Sequence, residues 1–348
     1  MELKKLIIDL CSLMSISSHE LRSYDALVSL VGEHFDEIHT DAVGNILLVR
    51  HSKKNTGAKI LIDTHFDEIG MLVTGIHEGG FLSVTSVGGL DCSIMQASDV
   101  TIYGKETIYG VITSTPPHLR AANSEKKLSD LSELFIDTGY SKEELEEIVE
   151  VGTPVGFAPR YTELLGDNLA GKSFDDKACA AAAIHGIAKA KASALAADVY
   201  LLLSCHEETV RIGGVAPAAF SVVPDYAMVI DVNLARVPDT PKSETVEYGK
   251  GVSISISPVT DKRLTRMTEQ LCRDKLIPFT KVAAPSSTGT NTPALNLVGQ
   301  GVPTTDIGLP LKSMHTYNEV INMGDVRALS SLVREFVCSD KIKEAFCE

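Results

Sequence analysis

KILIDTHFDEIG, residues 59–70, opens on an apolar run and closes on an imidazole followed by acids. A short apolar run without polar alternation is the pattern of a strand buried on both faces, as occurs where helices cover a sheet. VYLLLSC at 199–205 and YAMVID at 226–231 repeat it, and PTTDIGL at 303–309 is a weaker fourth. Helical patterns lie between them, among them the alanine-rich stretch 177–197, punctuated by Gly186. Strands alternating with helices predict an α/β fold, a mixed and largely parallel sheet flanked by helices on both faces.

Outward from these runs the texture changes. Residues 72–165 are rich in glycine and β-branched residues (GGFLSVTSVGG at 79–89, DVTIYGKETIYGVITS at 99–114), as expected for short antiparallel strands and turns. Within them Ser141, with Glu144 three residues on, predicts a helix over 141–150 opened by a capping box. The segment is expected to be a small β-rich domain inserted into a catalytic domain made of 1–71 and 166–348. The polar piece 121–130 is expected to be an exposed loop. Leu3, Leu6, Ile7, Leu10 and Leu13, interrupted by Asp9, predict an amphipathic first helix rather than an export signal.

Composition narrows the function classes. Of the 348 residues 44% are hydrophobic and 22% charged, enough to bury a full core. A net charge of −14 argues against nucleic-acid or anionic-membrane partners. No apolar run is long enough to span a bilayer. Aromatic residues are only 5%, with no tryptophan, which disfavours a sugar-stacking groove. Seven scattered cysteines, without a C-x-x-C pair, suggest neither a disulfide framework nor a thiolate zinc site, and fit a cytoplasmic protein.

The chemistry-bearing residues gather at the ends of the apolar runs, where open α/β sheets place their sites. His65 follows the first run, with Asp67 as a candidate partner for its second ring N–H. Asp175 and Asp176, in SFDDK, stand before the alanine-rich stretch and read equally as helix caps or metal ligands. HEET at 206–209 sets two adjacent carboxylates, Glu207 and Glu208, after the second run, where they repel unless a cation or shared proton intervenes. In an extended backbone their side chains point opposite ways, so that one faces a metal and the other a reacting water. Asp231 ends the third run, and His315 follows the fourth in LKSMHT. Each alone is as readily a turn or surface residue. Together they make an N/O donor set suited to zinc, cobalt or manganese.

The chain also resembles the TET-type aminopeptidases, a family that includes glutamyl aminopeptidases and members carrying endoglucanase names. The resemblance runs from TDAVGN at 40–45 through THFDEIG, TPPH at 115–118, FDDK, the EE pair and VID to GVPTTDIGLPLKSMHT at 301–316. It implies a zinc-peptidase-like fold and two divalent ions per subunit, zinc first, with cobalt or manganese as alternatives. Asp175 would bridge the ions, with Glu208 and His315 completing one site and His65 and Asp231 the other. Glu207 falls on the general base and Asp67 on the acid that supports His65. The inserted domain would serve pairing, toward a twelve-subunit homo-oligomer. His206, Thr209, Asn233, Asn291 and Lys312 depart from the family's usual residues, and SISSHE at 15–20 replaces its usual N-terminal motif; substrate preference is what they bear on.

The expected activity is hydrolysis of short unblocked peptides from the N-terminus, with a metal-bridged water activated by Glu207. The alternatives are another metal-dependent amidohydrolase or a glucanase on the same scaffold, and a non-catalytic assembly or binding module. Intact metal ligands weigh against a glucanase, which works with paired carboxylates alone.

Overall fold

The runs at 59–63, 199–205 and 226–231 become three adjacent parallel strands in a computed structural model that describes residues 1–54, 56–115, 131–210, 213–344 and 346. The chain begins with α1 (Leu3–Ser12) and α2 (Tyr24–Val31), then lays down β1 (Glu37–Thr40), β2 (Ile46–Arg50) and β3 (Lys59–His65). It leaves for β4 (Gly70–His77), β5 (Phe81–Val87), α3 (Cys92–Met95), β6 (Asp99–Tyr103), β7 (Thr107–Ser114), β8 (Leu134–Asp137), α4 (Lys142–Ile148) and β9 (Pro154–Phe157). It returns through β10 (Thr162–Leu164), β11 (Asn168–Gly171), α5 (Phe174–Lys189), β12 (Asp198–Ser204), α6 (Glu207–Val210), α7 (Val215–Val222) and β13 (Tyr226–Leu234). The remaining elements are β14 (Val252–Ile256), α8 (Lys262–Asp274), β15 (Phe279–Ala283), α9 (Thr292–Leu295), β16 (Thr304–Lys312), β17 (Glu319–Asn322), α10 (Met323–Val337) and α11 (Lys341–Glu344).

The large sheet runs β1-β2-β12-β3-β13-β16-β17-β11-β10, with β14 beside β16 and β15 beside β14. Its centre, β12-β3-β13-β16, is parallel, and antiparallel strands flank it on both sides. Continuous apolar runs were required there because both faces are covered. Ile60 and Ile62 of β3 pack into the core beneath α1, α5 and α10, while Leu61 points to the opposite cluster under α7 and α9. Gly186 permits a close approach of α5 to α10: a Cβ there would stand 2.4 Å from the Ser330 carbonyl of α10. The alanine-rich helix is shorter than its composition predicted. It stops at Lys189, and Leu195, Ala196 and Ala197 are instead buried in a turn held by the Ala196 N–H donating to the Val337 carbonyl.

The excursion forms a closed antiparallel barrel, β4-β5-β8-β7-β6-β9, with its own core of residues such as Met71, Leu82, Val100, Ile136 and Val155. Ser141 and Glu144 make the capping box that opens α4. The barrel's limits differ from the textural ones at 72 and 165. Its first strand starts at Gly70, and β10, past its last strand, pairs with β11 in the large sheet. Strand partnership sets this boundary, and composition does not reveal partners. Residues 121–130, expected as a loop, lie outside the described residues, as do residues 116–118 of the TPPH motif.

Candidate active site

Four parallel strands and one helix start deliver the site. His65 is the last residue of β3, and Asp175 sits at the irregular entry to α5. Glu207 and Glu208 follow β12, Asp231 lies in β13, and His315 follows β16. The backbone is left-handed at Ser173, His206, Ser313 and His315, with φ between 57° and 62°. For non-glycine residues such angles are uncommon and persist where surrounding structure enforces them. Here they turn ligand-bearing segments back over the strand ends.

Asp175 is the centre of the arrangement. Its Oδ1 lies 2.9 Å from His65 Nε2 and its Oδ2 3.3 Å from His315 Nε2. His315 Nε2 is also 3.2 Å from Glu208 Oε2, and His65 Nε2 is 3.8 Å from Asp231 Oδ1. The two carboxylate oxygens of Asp175 thus join two groups, His65/Asp231 and Glu208/His315. The sites expected at His65, Asp175, Glu208, Asp231 and His315 are brought together. A cleft of about 330 Å³ opens onto Asp175, Glu207, Glu208, Asp231 and His315.

Several expected details are different. Asp67 meets His65 twice: its main-chain carbonyl, 2.9 Å from Nδ1, accepts the ring N–H, and a carboxylate oxygen stands 3.6 Å from the same nitrogen. That carboxylate also accepts from the Glu207 and Glu208 amides at 3.1 and 3.2 Å and from the Ser17 hydroxyl at 2.8 Å. The Glu207-Glu208 backbone is not extended; it is the first turn of α6, where successive side chains diverge by about 100° and still face different directions. Asp231 is in the interior of β13, opposite Gly308, because the strand continues past the apolar run. Asp175 and Asp176 have non-helical angles and do not cap α5.

Burial and crowding of acids set the electrostatics. Burial, then the charges of Glu208, Asp175 and Asp67, push Glu207 up to about 7 against the pull of His65. Burial likewise raises Glu208, Asp231 and Asp176. Asp175 is held below its ordinary value: burial opposes this, but hydrogen bonds from His315 and His65 outweigh it. Asp175 and then Glu208 lift His315 to about 10; at His65 burial pulls the other way, but Asp175, then Asp67 and Asp231, outweigh it and raise the imidazole. The cluster therefore asks for positive charge. No protein donor reaches Glu208 Oε1 among the described residues, and Asp176 is fully buried with the Cys179 thiol beside it. Buried carboxylate oxygens without donors, facing imidazole nitrogens, fit divalent cations in place of protons.

One supporting residue, Glu319, escaped the sequence reading, and a second, Asn291, is read in the sequence only as a departure bearing on substrate preference. Glu319, buried at the start of β17, accepts from the Phe174 and Asp175 amides at 2.7 and 3.2 Å and from the His315 amide at 3.1 Å. It clamps the backbones of two predicted ligands, and an acid opening an apolar strand is the only signal the sequence offered. Asn291 donates to Asp63 at 3.0 Å and to Ser204 at 3.1 Å beneath the site. Lys312, one of the departures named above, has its ammonium 3.7 Å from the centre of the Tyr248 ring, a cation–π contact.

Residues 44–332 match the sequence profile of the M42 glutamyl aminopeptidase family, and the chain belongs to that family. The lysyl aminopeptidase of Pyrococcus furiosus is 29% identical over 306 residues, covering 87% of each chain. Among solved structures, aminopeptidase APDkam598 from the archaeon Desulfurococcus kamchatkensis has a TM-score of 0.88 at 29% identity, over 96% of this chain and 94% of that one. The TET1 peptidase of Pyrococcus horikoshii, which can assemble into a tetrahedron or a large octahedral shell, has a TM-score of 0.84 at 25% identity, over 97% and 99% of the two chains. These relationships support a hydrolase of the aminopeptidase class.

Proposed function

We propose that this chain, as a member of the M42 family, is a di-metal aminopeptidase that removes single residues from the free N-terminus of short peptides. The observation that carries this reading is Asp175, whose two oxygens face two separate histidine–carboxylate groups beside Glu207. His65, Asp175 and Asp231 would hold one ion and Asp175, Glu208 and His315 the other, zinc before cobalt or manganese. Such ions supply Lewis acidity, lowering the pKa of water to about 7 and polarising a carbonyl. Glu207 takes the proton of the attacking water and returns it to the leaving amine. Its carboxyl, raised to about 7 by burial in the metal-free chain, is already poised for transfer near neutral pH. Asp67 holds the Glu207 and Glu208 amides, so base and ligand keep their separate directions. The surplus of buried carboxylates favours a substrate's α-ammonium group, which supports action at a free N-terminus.

Assembly as a homo-oligomer built from dimers, up to twelve subunits, is part of the same proposal. It is supported by the assemblies of the P. horikoshii peptidase and by the barrel's β7, which exposes Tyr109 and Val111. A cytoplasmic location agrees with the free cysteines among the described residues and with the finding there that no helix is long and apolar enough to cross a membrane. The test is metal-replete protein assayed on aminoacyl reporters, unblocked peptides, N-acetylated peptides and β-glucans. Stepwise release of amino acids from unblocked peptides alone is expected. Release of glucose oligomers with no amino-acid release overturns the proposal.

A further inference from the structure

On the other side of the Glu207 turn lies a second cluster of metal-ligating side chains that the peptidase reading does not use. Glu20, Cys205 and His206 each offer one donor atom, and these atoms lie within 4.8 Å of one another. Glu20 and Cys205 are almost fully buried, and His206 is half-buried. The cluster joins distant segments: Glu20 opens a short helical turn near the N-terminus, while Cys205 and His206 leave the end of β12. His206, left-handed at φ 62°, turns its ring back so that Nε2 meets the Ser18 hydroxyl at 3.1 Å. The Cys205 thiol donates to the Val43 carbonyl at 3.2 Å, which leaves the sulfur lone pairs unused. Gly44 borders the shared space: a Cβ there would stand 3.7 Å from Glu20 Oε2 and 3.9 Å from Cys205 Sγ.

We propose that Glu20, Cys205 and His206 form a third metal site, for a thiophilic divalent ion such as zinc, with its fourth position open to solvent. One thiolate, one imidazole and one carboxylate make a borderline donor set that prefers zinc or cobalt over magnesium or calcium. On binding, the Cys205 thiol gives its proton to solvent and the sulfur takes the metal in exchange for its bond to Val43. The ion draws on residues adjoining Glu207, so filling this site shifts the base and lowers turnover. Zinc in excess of two equivalents is therefore inhibitory, and activity returns when the excess is removed.

The two sets of ligands are chemically distinguishable, because the catalytic set holds only nitrogen and oxygen. Cobalt(II) added to protein already holding two equivalents should give a third equivalent by elemental analysis, together with near-ultraviolet thiolate-to-cobalt charge-transfer absorption. Cys205→Ala should lose both the third equivalent and the absorption while keeping two ions, and its inhibition by excess zinc should disappear. His206→Gln, at a half-buried position, gives the same reading if the alanine variant does not fold. Absence of the absorption in the wild type at three equivalents, or its persistence in Cys205→Ala, overturns the proposal. The absorption is read without reference to activity, so this result stands apart from the peptidase assay.

Discussion

Glu207→Gln tests the division of labour within the acidic pair. The substitution keeps the side chain's size in a buried position and leaves the Glu207 amide bonded to Asp67, so Asp67, Glu208 and both histidines retain their partners. It removes the group that accepts the proton, and loss of a positioned acid–base costs about 10²–10⁴ in kcat. Stability should move the other way. In the metal-free chain Glu207 rises from 4.5 to about 7, so the folded state disfavours its charge. At 1.36 kcal/mol per pKa unit this corresponds to roughly 3 kcal/mol at most. A carboxyl raised on folding contributes stability below pH 4.5 that is lost as pH rises through about 7. Chelated Glu207→Gln should therefore be more stable than chelated wild type at pH 8 and nearly equal to it at pH 4. Aminoacyl reporter kinetics, metal content by elemental analysis and denaturant melts with chelator measure the three quantities. A variant with wild-type kcat, or one that has lost its metals, refutes the assignment of Glu207 as base.

Glu208→Gln should instead lower metal content toward one ion per chain, read by elemental analysis after dialysis; an unchanged content of two would move the ligand role elsewhere. Glu319→Gln puts an amide NH₂ where a carboxylate oxygen accepted an amide N–H. Losing one charged hydrogen bond costs about 1.5–3 kcal/mol, and the neighbouring metal site should weaken by about 10–100-fold in chelator competition, as for other residues that support ligands. The lift of His315 to about 10 predicts that metal-free protein loses stability as pH rises from 6.5 through about 10, because across that range the folded chain holds a proton that the unfolded chain has released. Metal uptake must displace protons, so affinity should fall as pH is lowered; a pH-independent affinity would contradict the ligand assignment of the histidines. Light scattering at micromolar concentration should give a mass well above one subunit, and a monomer would contradict the assembly proposed here.

Much of the site was readable because its residues come directly after runs that can only be buried strands. Ile60, Leu61 and Ile62 need cover on both faces, so the residues just past β3 lie at the sheet's carboxyl edge. The same reasoning placed Glu207 after β12. It failed where strand length mattered: Asp231 was expected at an end and lies inside β13, since Val232 is buried although the acid itself interrupts the apolar run. Nor did it show that the Asp67 carbonyl makes the shorter contact to His65, or that the Asp67 carboxylate also holds the Glu207 and Glu208 amides.

The sequence by itself determined the layered α/β class, the separate β-rich segment and the identity of the groups available for chemistry. These depend on local quantities: run length, the period of apolar residues and the acid–imidazole content at run ends. Tertiary structure decided that β4 through β9 close into a barrel, that Glu319 ties Asp175 to His315, and that Asp175 divides its oxygens between two histidines. Most of these contacts join residues far apart in the chain. They are fixed by the packing of the whole molecule, and no local pattern of residues encodes which distant partner a carboxylate will meet.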